Sequence, residues 1–313
     1  MNENEERRQL LIDVARMYYF ENMSQQQIAD ILHMSRSNVS LLLRSCLENS
    51  IIEIKINDTV SRAHDLAALI KQKFSLKTVL IAQSFKNPER CLESVCRLAA
   101  HYLKSILSNG MLLGYTNDIV AYHIADKLSF LDYVKINTIQ MMGGLSNIIK
   151  DIDGQALAQI FSKKLNGTSY VLQAPLKVKS STLKELLMAE PVIQSTFEMY
   201  SKIDVAIMQI TKPNLLPHIQ QSDEICSKAE LLQLSELGAV CHFCGRYLDK
   251  NGSSCNAGIN ERIMAIDPET IKSIPTVIGV SANISNTQAV LSCVKGGYIN
   301  SLIIDEAMAR SLL

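Results

Sequence analysis

Residues 24–43 of the chain read SQQQIADILHMSRSNVSLLL, and this stretch determines the fold of the N-terminus. Ser24 is followed three residues later by Gln27, which is the spacing of a capping box, so a helix is predicted to begin here. The apolar pattern breaks at His33, after which Ser35 can cap a second helix. Two short helices joined by a tight turn predict a helix-turn-helix module.

Apolar residues recur at helical spacing within and before this stretch. The preceding segment predicts a packing helix with one apolar stripe: Leu10, Leu11, Val14, Met17 and Tyr18. In the paired helices the residues expected to be buried are Ile28, Ala29, Ile31 and Leu32, then Val39, Leu42, Leu43 and Cys46. The alternative is a small helical domain whose Ser and Asn residues only cap and solvate its helices.

The second helix of such a module places its first residues against base edges in the major groove. Polar side chains occupy these positions and form the candidate DNA-binding set: Ser35, Arg36, Ser37, Asn38 and Ser40. Arg can bond guanine, and Asn can bond adenine. Gln25, Gln26 and Arg44 are better placed for phosphates. The sequence therefore predicts binding to a double-stranded DNA operator.

Charge counting weakens this prediction for an isolated module. The first 62 residues contain seven basic and nine acidic residues, and the whole chain contains 31 of each. Neutralisation of phosphates by Lys and Arg supplies much of the affinity for DNA. We therefore expect a homodimer or homotetramer, because linked modules bind with a high effective concentration.

Length and composition indicate a two-domain protein, with a DNA-binding domain at 1–57 and an effector-binding and oligomerisation domain at 58–313. The chain is 47% hydrophobic, yet no apolar run reaches the roughly 18 residues of a membrane-spanning helix. Its eight cysteines are scattered, unlike those of a disulfide scaffold. A cytoplasmic protein without a membrane segment is expected.

The larger part of the chain alternates strand and helix patterns. Buried strands are expected at 78–82, 111–115, 136–142, 170–173, 203–210, 276–281 and 300–304. Helical stretches separate most of them, which predicts a parallel-sheet α/β domain covered on both faces. The segment 51–56 alternates as a short strand would, so the all-α N-terminal domain is expected with or without a wing.

Ligands of parallel sheets bind at the carboxyl ends of the strands. Small or amide-bearing residues follow or end several of the expected strands and form the candidate effector-binding set: Gly114, Thr116, Asn117, Gly143, Gly144, Asn283 and Asn286. Such residues can present hydrogen-bond donors to a ligand. Loop turns also require these residue types, so a purely structural role remains the alternative.

Three segments together resemble the SorC family of bacterial sugar-responsive transcriptional regulators. They are the helix-turn-helix at 25–43, ELGAVCHFCGRYLDKNG at 236–252, and the C-terminal region from IPTVIGV at 274 to the end. The resemblance implies a sheet domain related to sugar-phosphate isomerases that binds sugars or sugar phosphates as effectors, in dimers or tetramers. It also adds Asp249 to the candidate effector-binding residues.

Departures from the family pattern cluster in the ligand loops. Relatives carry Gly and Thr where this chain has Asp118 and Val120, and a G-I-G segment where it has 209–211. Asn283 and Asn286 replace an expected Gly and Lys. A carboxylate repels phosphate, and the Lys replacement removes a cation. The hypothesis is that the effector is neutral or differently charged, or that none is bound.

Metal binding and catalysis are the remaining hypotheses. Cys241, His242 and Cys244 form a C-H-x-C cluster, but a zinc site needs four ligands and no second set accompanies it. Asp305 and Glu306, with the family-matched Asp249, could serve in acid/base chemistry, although the first two could instead cap the last helix. We expect no cofactor, metal or catalytic residue. The alternatives are a degenerate regulator and a sugar-phosphate enzyme.

Overall fold

The computed structural model describes residues 3–49, 51–52, 59–131, 134–144, 154–213, 226–255 and 258–313. The chain divides into two compact units, Met1–Thr59 and Val60–Leu313. Among the described helices, none is both long enough and apolar enough to cross a bilayer.

Three helices form the N-terminal unit: α1 (Glu3–Tyr19), α2 (Gln25–Ile31) and α3 (Arg36–Glu48). The predicted capping box is present, because Ser24 and Gln27 each accept the other's backbone N–H. Ser35 caps α3 by accepting the N–H of Asn38 at 3.2 Å. The turn between α2 and α3 contains His33, whose φ of 50° lies in the left-handed region. A residue in this conformation ends α2. The helix-turn-helix prediction is confirmed.

Leu11, Ala15 and Cys46 form a small buried cluster in this unit, and its main core consists of Val14, Ile28, Ala29, Val39 and Leu43. Ile31 was expected in it and is 51% exposed, so that expectation is wrong. Successive residues turn by about 100° around a helix, which places Ile31 about 60° from Ile28 but Leu32 only about 40° away. Leu32 is accordingly the half-buried one. Of the expected strand at 51–56, residues 53–56 lie outside the described residues, and 51–52 are not in a strand.

The larger unit contains ten α-helices and nine strands among its described residues. Its helices are α4 (Thr59–Phe74), α5 (Pro88–Ile106), α6 (Ile119–Lys127), α7 (Gly154–Leu165), α8 (Ser181–Met188), α9 (Pro191–Met199), α10 (Lys228–Glu236), α11 (Pro268–Ser273), α12 (Thr287–Lys295) and α13 (Glu306–Leu312). Its strands are β1 (Thr78–Ala82), β2 (Leu112–Tyr115), β3 (Asn137–Gln140), β4 (Ser169–Tyr170), β5 (Val205–Gln209), β6 (Ala239–Phe243), β7 (Arg246–Asp249), β8 (Thr276–Val280) and β9 (Ser301–Asp305).

Seven strands form one sheet in the order β1-β9-β8-β5-β2-β3-β4, and every pair is parallel. One apolar cluster, which includes Val95, Ile124 and Phe161, covers one face; another, which includes Ile70, Val290 and Met308, covers the other. The predicted α/β class is therefore confirmed. From β2 the chain first builds outward through β3 and β4, then returns to place β5 on the other side of β2. This reversal of strand order creates the crevice in which parallel sheets bind ligands.

Strands β6 and β7 form a separate antiparallel hairpin that was not predicted. Its two-residue turn is Cys244 and Gly245, both with positive φ, as a type I′ turn requires. The main chain of His242 in β6 exchanges two hydrogen bonds with Thr211, just beyond β5, at 2.7 and 3.1 Å. The hairpin is thereby fixed beside the carboxyl ends of the sheet.

Candidate functional site

The start of α3 presents the predicted base-reading residues to solvent. Arg36, Ser37, Asn38 and Ser40 are all exposed. The hydroxyl of Ser35 is exposed as well, but it already caps the helix. Four exposed polar side chains on the first turns of a helix can donate to and accept from base edges.

The predicted phosphate contacts are less uniform. Gln26 is exposed, and its amide donates to Asp30 at 2.9 Å, whereas Gln25 is half-buried. Arg44 lies about 12 Å along α3 from Arg36 and pairs with Glu48 at 3.1 Å. Because this pair is well exposed, it is weak and leaves the guanidinium able to exchange partners.

The loop after β2 contains the most buried of the predicted effector residues. Thr116 and Asn117 are each 1% exposed. The Asn117 amide nitrogen lies 3.4 Å from the Gly143 carbonyl oxygen after β3, so the loops of two neighbouring strands are joined. The Oδ1 atom of Asn117 is buried without a hydrogen-bond partner.

Asp118 follows in the same loop and caps α6. Its carboxylate accepts the N–H of Ala121 at 2.8 Å and the hydroxyl of Thr116. Burial raises the pKa of Asp118 to about 6, although hydrogen bonds from Thr116 and from backbone N–H groups oppose the rise. The carboxylate therefore takes the helix N-terminus and the threonine hydroxyl that an anionic ligand would otherwise use.

Two of the three predicted glycines, Gly114 and Gly143, allow close approach of the backbone, whereas a Cβ on Gly144 would have its nearest neighbour at 3.9 Å. A Cβ on Gly114, within β2, would stand 2.8 Å from the sulfur of Met141, and one on Gly143 would stand 2.6 Å from the Pro175 main chain. The N–H groups of Gly143 and Gly144 donate to main-chain carbonyls, each at 2.8 Å. These hydrogen bonds hold the segment after β3 against neighbouring parts of the backbone.

The loop after β8 retains the backbone that the family's glycine would require. Asn283 has φ 81°, a region that favours glycine, and its Oδ1 accepts the N–H of Ser285 at 3.0 Å. Asn286 is 7% exposed and accepts the N–H of Lys212 at 3.2 Å, while donating to Ala282 O at 2.9 Å. Where the family pattern predicts a lysine, this chain thus has an amide that joins the loops after β5 and β8.

The described hydrogen bonds of Asp249 are to the end of the hairpin and to α12. Its Oδ1 accepts the N–H groups of Asn251 at 2.8 Å and Ser253 at 2.9 Å, and its carbonyl accepts the Ser292 hydroxyl at 2.6 Å. The hydrogen bonds described for the β2, β3 and β8 loops do not include it. The structure therefore joins Asn117 to Gly143 but leaves Asp249 in a separate group.

One polar residue of this edge was missed by sequence reasoning. Gln140 ends β3, is fully buried, and accepts the N–H of Leu172 through Oε1 at 3.2 Å. Its Nε2 has no hydrogen-bond partner. A polar residue within the predicted strand 136–142 was the available signal, but the unused donor is visible only in the structure.

The carboxylates considered for catalysis near the C-terminus have structural partners. Asp305 is 1% exposed and accepts hydrogen bonds from Ser84, Asn283 and the first N–H groups of α13 at 2.8 to 3.2 Å. Glu306 pairs with Arg310 at 2.5 Å. Asp305 is the N-cap of the last helix and Glu306 lies in its first turn, as the capping alternative proposed.

The cysteine and histidine side chains at 241–244 point to different surroundings. Cys241 lies 3.4 Å, sulfur to sulfur, from Cys293, and Cys244 lies near the Met141 carbonyl. Burial lowers the pKa of His242 to about 4. In the described part of the chain no three His, Cys, Asp or Glu side chains are grouped so as to hold a metal.

A cleft of about 310 Å³ lies beside the loops after β5 and β8. Its lining includes Lys212, Ser285 and Gln288, together with Ala239 and Val240 of the hairpin. None of the predicted effector residues lines it. Lys212, whose backbone N–H donates to Asn286, nevertheless contributes a cationic residue to the lining of the cleft.

Comparison with known families accounts for both units. Residues 58–313 match the family described as "Putative sugar-binding domain", and residues 8–49 match "Sigma-70, region 4". The first match covers most of the chain. This chain belongs to the SorC family of transcriptional regulators. The hairpin and the parallel sheet described above are therefore parts of a SorC-family effector domain.

The similar proteins align with nearly the whole length of this SorC-family chain. "Uncharacterized transcriptional regulator YjhU" of Escherichia coli K12 is 28% identical over 306 residues, covering 95% of this chain and 92% of the relative. "Deoxyribonucleoside regulator" of Bacillus subtilis 168 is 24% identical over 313 residues, covering 98% of each. The crystal structure of the full-length sorbitol operon regulator SorC from Klebsiella pneumoniae has the same fold, with a TM-score of 0.76, 22% identity, and coverage of 97% of this chain and 98% of that one.

Proposed function

We propose that this SorC-family protein regulates transcription by binding a DNA operator through the start of α3, under the control of a neutral, hydroxyl-bearing effector. The effector is proposed to bind at the carboxyl edge of the sheet. The protein acts in the cytoplasm by binding rather than by catalysis, as a homodimer or homotetramer. Its DNA-binding and effector domains are proposed to be 1–57 and 58–313.

The exposed start of α3 supports the DNA-binding half of the proposal. Arg36 and Asn38 carry the side chains that read guanine and adenine, and neither is drawn into the core. Arg44 supplies a more distant positive charge. The module otherwise has few cations, which supports an oligomer in which several modules bind together.

The position of Asp118 carries the effector half of the proposal. Its carboxylate already occupies the N-terminus of α6 and accepts from Thr116. A phosphate at this point would lose those donors and meet a second negative charge. Asn286, where relatives have lysine, adds no compensating cation. A neutral sugar or polyol avoids this repulsion.

Lys212 is the feature that favours the competing anionic effector. It lines the 310 Å³ cleft beside Asn286 and could offset the charge of a phosphate bound there. A sugar phosphate is therefore the second candidate ligand. Its binding would require Lys212 and would not require neutralisation of Asp118.

The proposal is tested by mobility shift of the DNA upstream of the protein's own gene with the full-length protein. The compounds named in the relatives, sorbitol and deoxyribonucleosides, begin the ligand screen, each beside its phosphate ester. A neutral compound that changes DNA affinity, with phosphates weaker, supports the proposal. Response to phosphates alone contradicts the effector half, and absence of specific DNA binding contradicts the regulatory half.

A further inference from the structure

Two buried amides at the carboxyl edge of the sheet have unused hydrogen-bonding atoms. Asn117, after β2, is 1% exposed and has an unpartnered acceptor, Oδ1. Gln140, at the end of β3, is fully buried and has an unpartnered donor, Nε2. Leaving a polar group buried and unpaired costs stability, so two such groups in one place indicate a site built for something else.

The two amides lie close together. Their strands are hydrogen-bonded neighbours, and Gln140 is the register partner of Tyr115, two residues before Asn117. Both side chains reach the start of α7: a Cβ on Gly154 would stand 2.0 Å from Gln140 Nε2 and 3.0 Å from Asn117 Nδ2. Only a residue without a side chain leaves room for both amides here.

We infer that Asn117 and Gln140 together bind one hydroxyl group of the effector. A hydroxyl carries one donor and two acceptor lone pairs, so it can accept from Gln140 Nε2 and donate to Asn117 Oδ1 at the same time. An ionised phosphate or carboxylate cannot donate to Asn117. The inference rests on the proposed function, and it assigns Gln140 a role in effector specificity.

The remaining hydrogen bonds of the pair hold each amide in place. Gln140 Oε1 accepts from Leu172 N at 3.2 Å, and Asn117 Nδ2 is directed to Gly143 O at 3.4 Å. These contacts use the acceptor of one side chain and the donor of the other. The complementary donor and acceptor are the atoms left for the ligand.

The test is a thermodynamic cycle between ligand and protein, measured by isothermal titration with the full-length protein. The probes are D-sorbitol, 2'-deoxyadenosine, their phosphate esters, and single-deoxy analogues of whichever neutral compound binds. The variants are Gln140→Glu, which keeps the acceptor for Leu172, and Asn117→Leu. Thr138→Val is the control, because Thr138 is buried on β3 with its hydroxyl bonded to Ser169.

One deoxy analogue is expected to bind the wild type about tenfold more weakly or worse, because a hydroxyl-reading site rejects ligands that lack the group. Either variant should lose affinity for the parent compound by a similar factor. In that variant, the parent compound and its deoxy analogue should then bind with nearly equal affinity. Thr138→Val should leave affinity within about threefold. Gly154→Ala, whose Cβ displaces Gln140, should reproduce the loss if Asn117→Leu does not fold.

Suppose that a neutral compound binds and that each deoxy analogue loses the same factor of affinity in the variants as in the wild type. That result would overturn this inference and leave the proposed function standing. Binding of phosphate esters only, or of no compound, contradicts the proposed function and this inference with it. Operator binding, followed in the same preparations, shows that each variant is folded.

Discussion

In the proposed function, Asp118 is the residue that decides whether the effector domain accepts an anionic or a neutral ligand. It stands where the family pattern predicts glycine, and its carboxylate caps α6. Burial raises its pKa to about 6, so its charge is maintained against a desolvation cost. A carboxylate at this position repels anionic ligands.

Replacing Asp118 with Asn should improve binding of sugar phosphates about tenfold at pH 7.5. The amide still accepts the Ala121 N–H, while the repelling charge is removed. Titration calorimetry measures the change, and Asp126→Asn, near the other end of α6, is the matched control. Equal phosphate affinity in Asp118→Asn and wild type would contradict this role.

The same residue predicts a pH dependence of stability. The folded pKa of about 6 exceeds the ordinary value of 3.8, so the folded protein holds this proton more tightly than the unfolded chain does. Stability contributed by the proton is present below about pH 4 and is lost as the pH rises through about 6. Asp118→Asn should therefore gain melting temperature relative to wild type between pH 4 and 7; a constant difference would refute the shift.

Arg36→Ala should weaken specific operator binding by about 1 to 3 kcal/mol, as loss of a base contact does. Arg44→Ala should instead weaken specific and random DNA by similar factors, because a phosphate contact carries no sequence information. Fluorescence anisotropy on operator and scrambled duplexes separates the two effects. Unchanged operator affinity in Arg36→Ala would show that another residue reads the base.

Single residues were predictable where the chemistry is local and not where it depends on a partner. Asn283 was predicted at a glycine position, and its φ of 81° gives the physical reason. Asn286 was identified as a missing cation, but its hydrogen bond to Lys212 required the structure. Gln140 was not identified, because an unused donor cannot be recognised without the groups around it.

At the scale of elements, helix caps define the DNA-binding module. Ser24 and Ser35 each begin a helix at the residue predicted, since a side-chain oxygen there satisfies an N–H that has no partner inside the helix. The caps fix the residues at which α2 and α3 begin. The exposed face of α3 follows from that starting point.

Ser35→Ala should lower the free energy of unfolding of the N-terminal unit by about 1 kcal/mol, the usual effect of losing a cap. Ser37→Ala is the control, since Ser37 is exposed on the same helix and has no described capping bond. Urea unfolding followed by circular dichroism gives both values. A loss as large in the control as in Ser35→Ala would argue against the cap.

Strands were predictable when they were buried on both faces. The run at 78–82 coincides with β1, and the runs at 276–281 and 300–304 differ from β8 and β9 by one residue at their ends. The hairpin was missed because its turn is Cys244-Gly245 rather than the usual Asn-Gly or Asp-Gly. In the sequence, its cysteines and histidine resemble metal ligands more than they resemble a strand pattern.

At the scale of the whole molecule, the formal charge of zero gives the chain no general attraction to DNA. In the proposed function, specific binding therefore comes from a few contacts at α3 and from several modules acting together. The effector domain is the part large enough to assemble them. Its ligand can control DNA binding only by binding more tightly to one arrangement of the assembly than to another.

Parallel titrations of upstream DNA with the full-length protein, in the presence of neutral polyols or nucleosides and of their phosphate esters, test the central claim most directly. We predict that at least one neutral compound changes DNA affinity by about fivefold or more, within the usual range of allosteric coupling, and that its phosphate ester has a smaller effect. A response to phosphate esters alone, with neutral compounds inactive at saturation, would contradict the account.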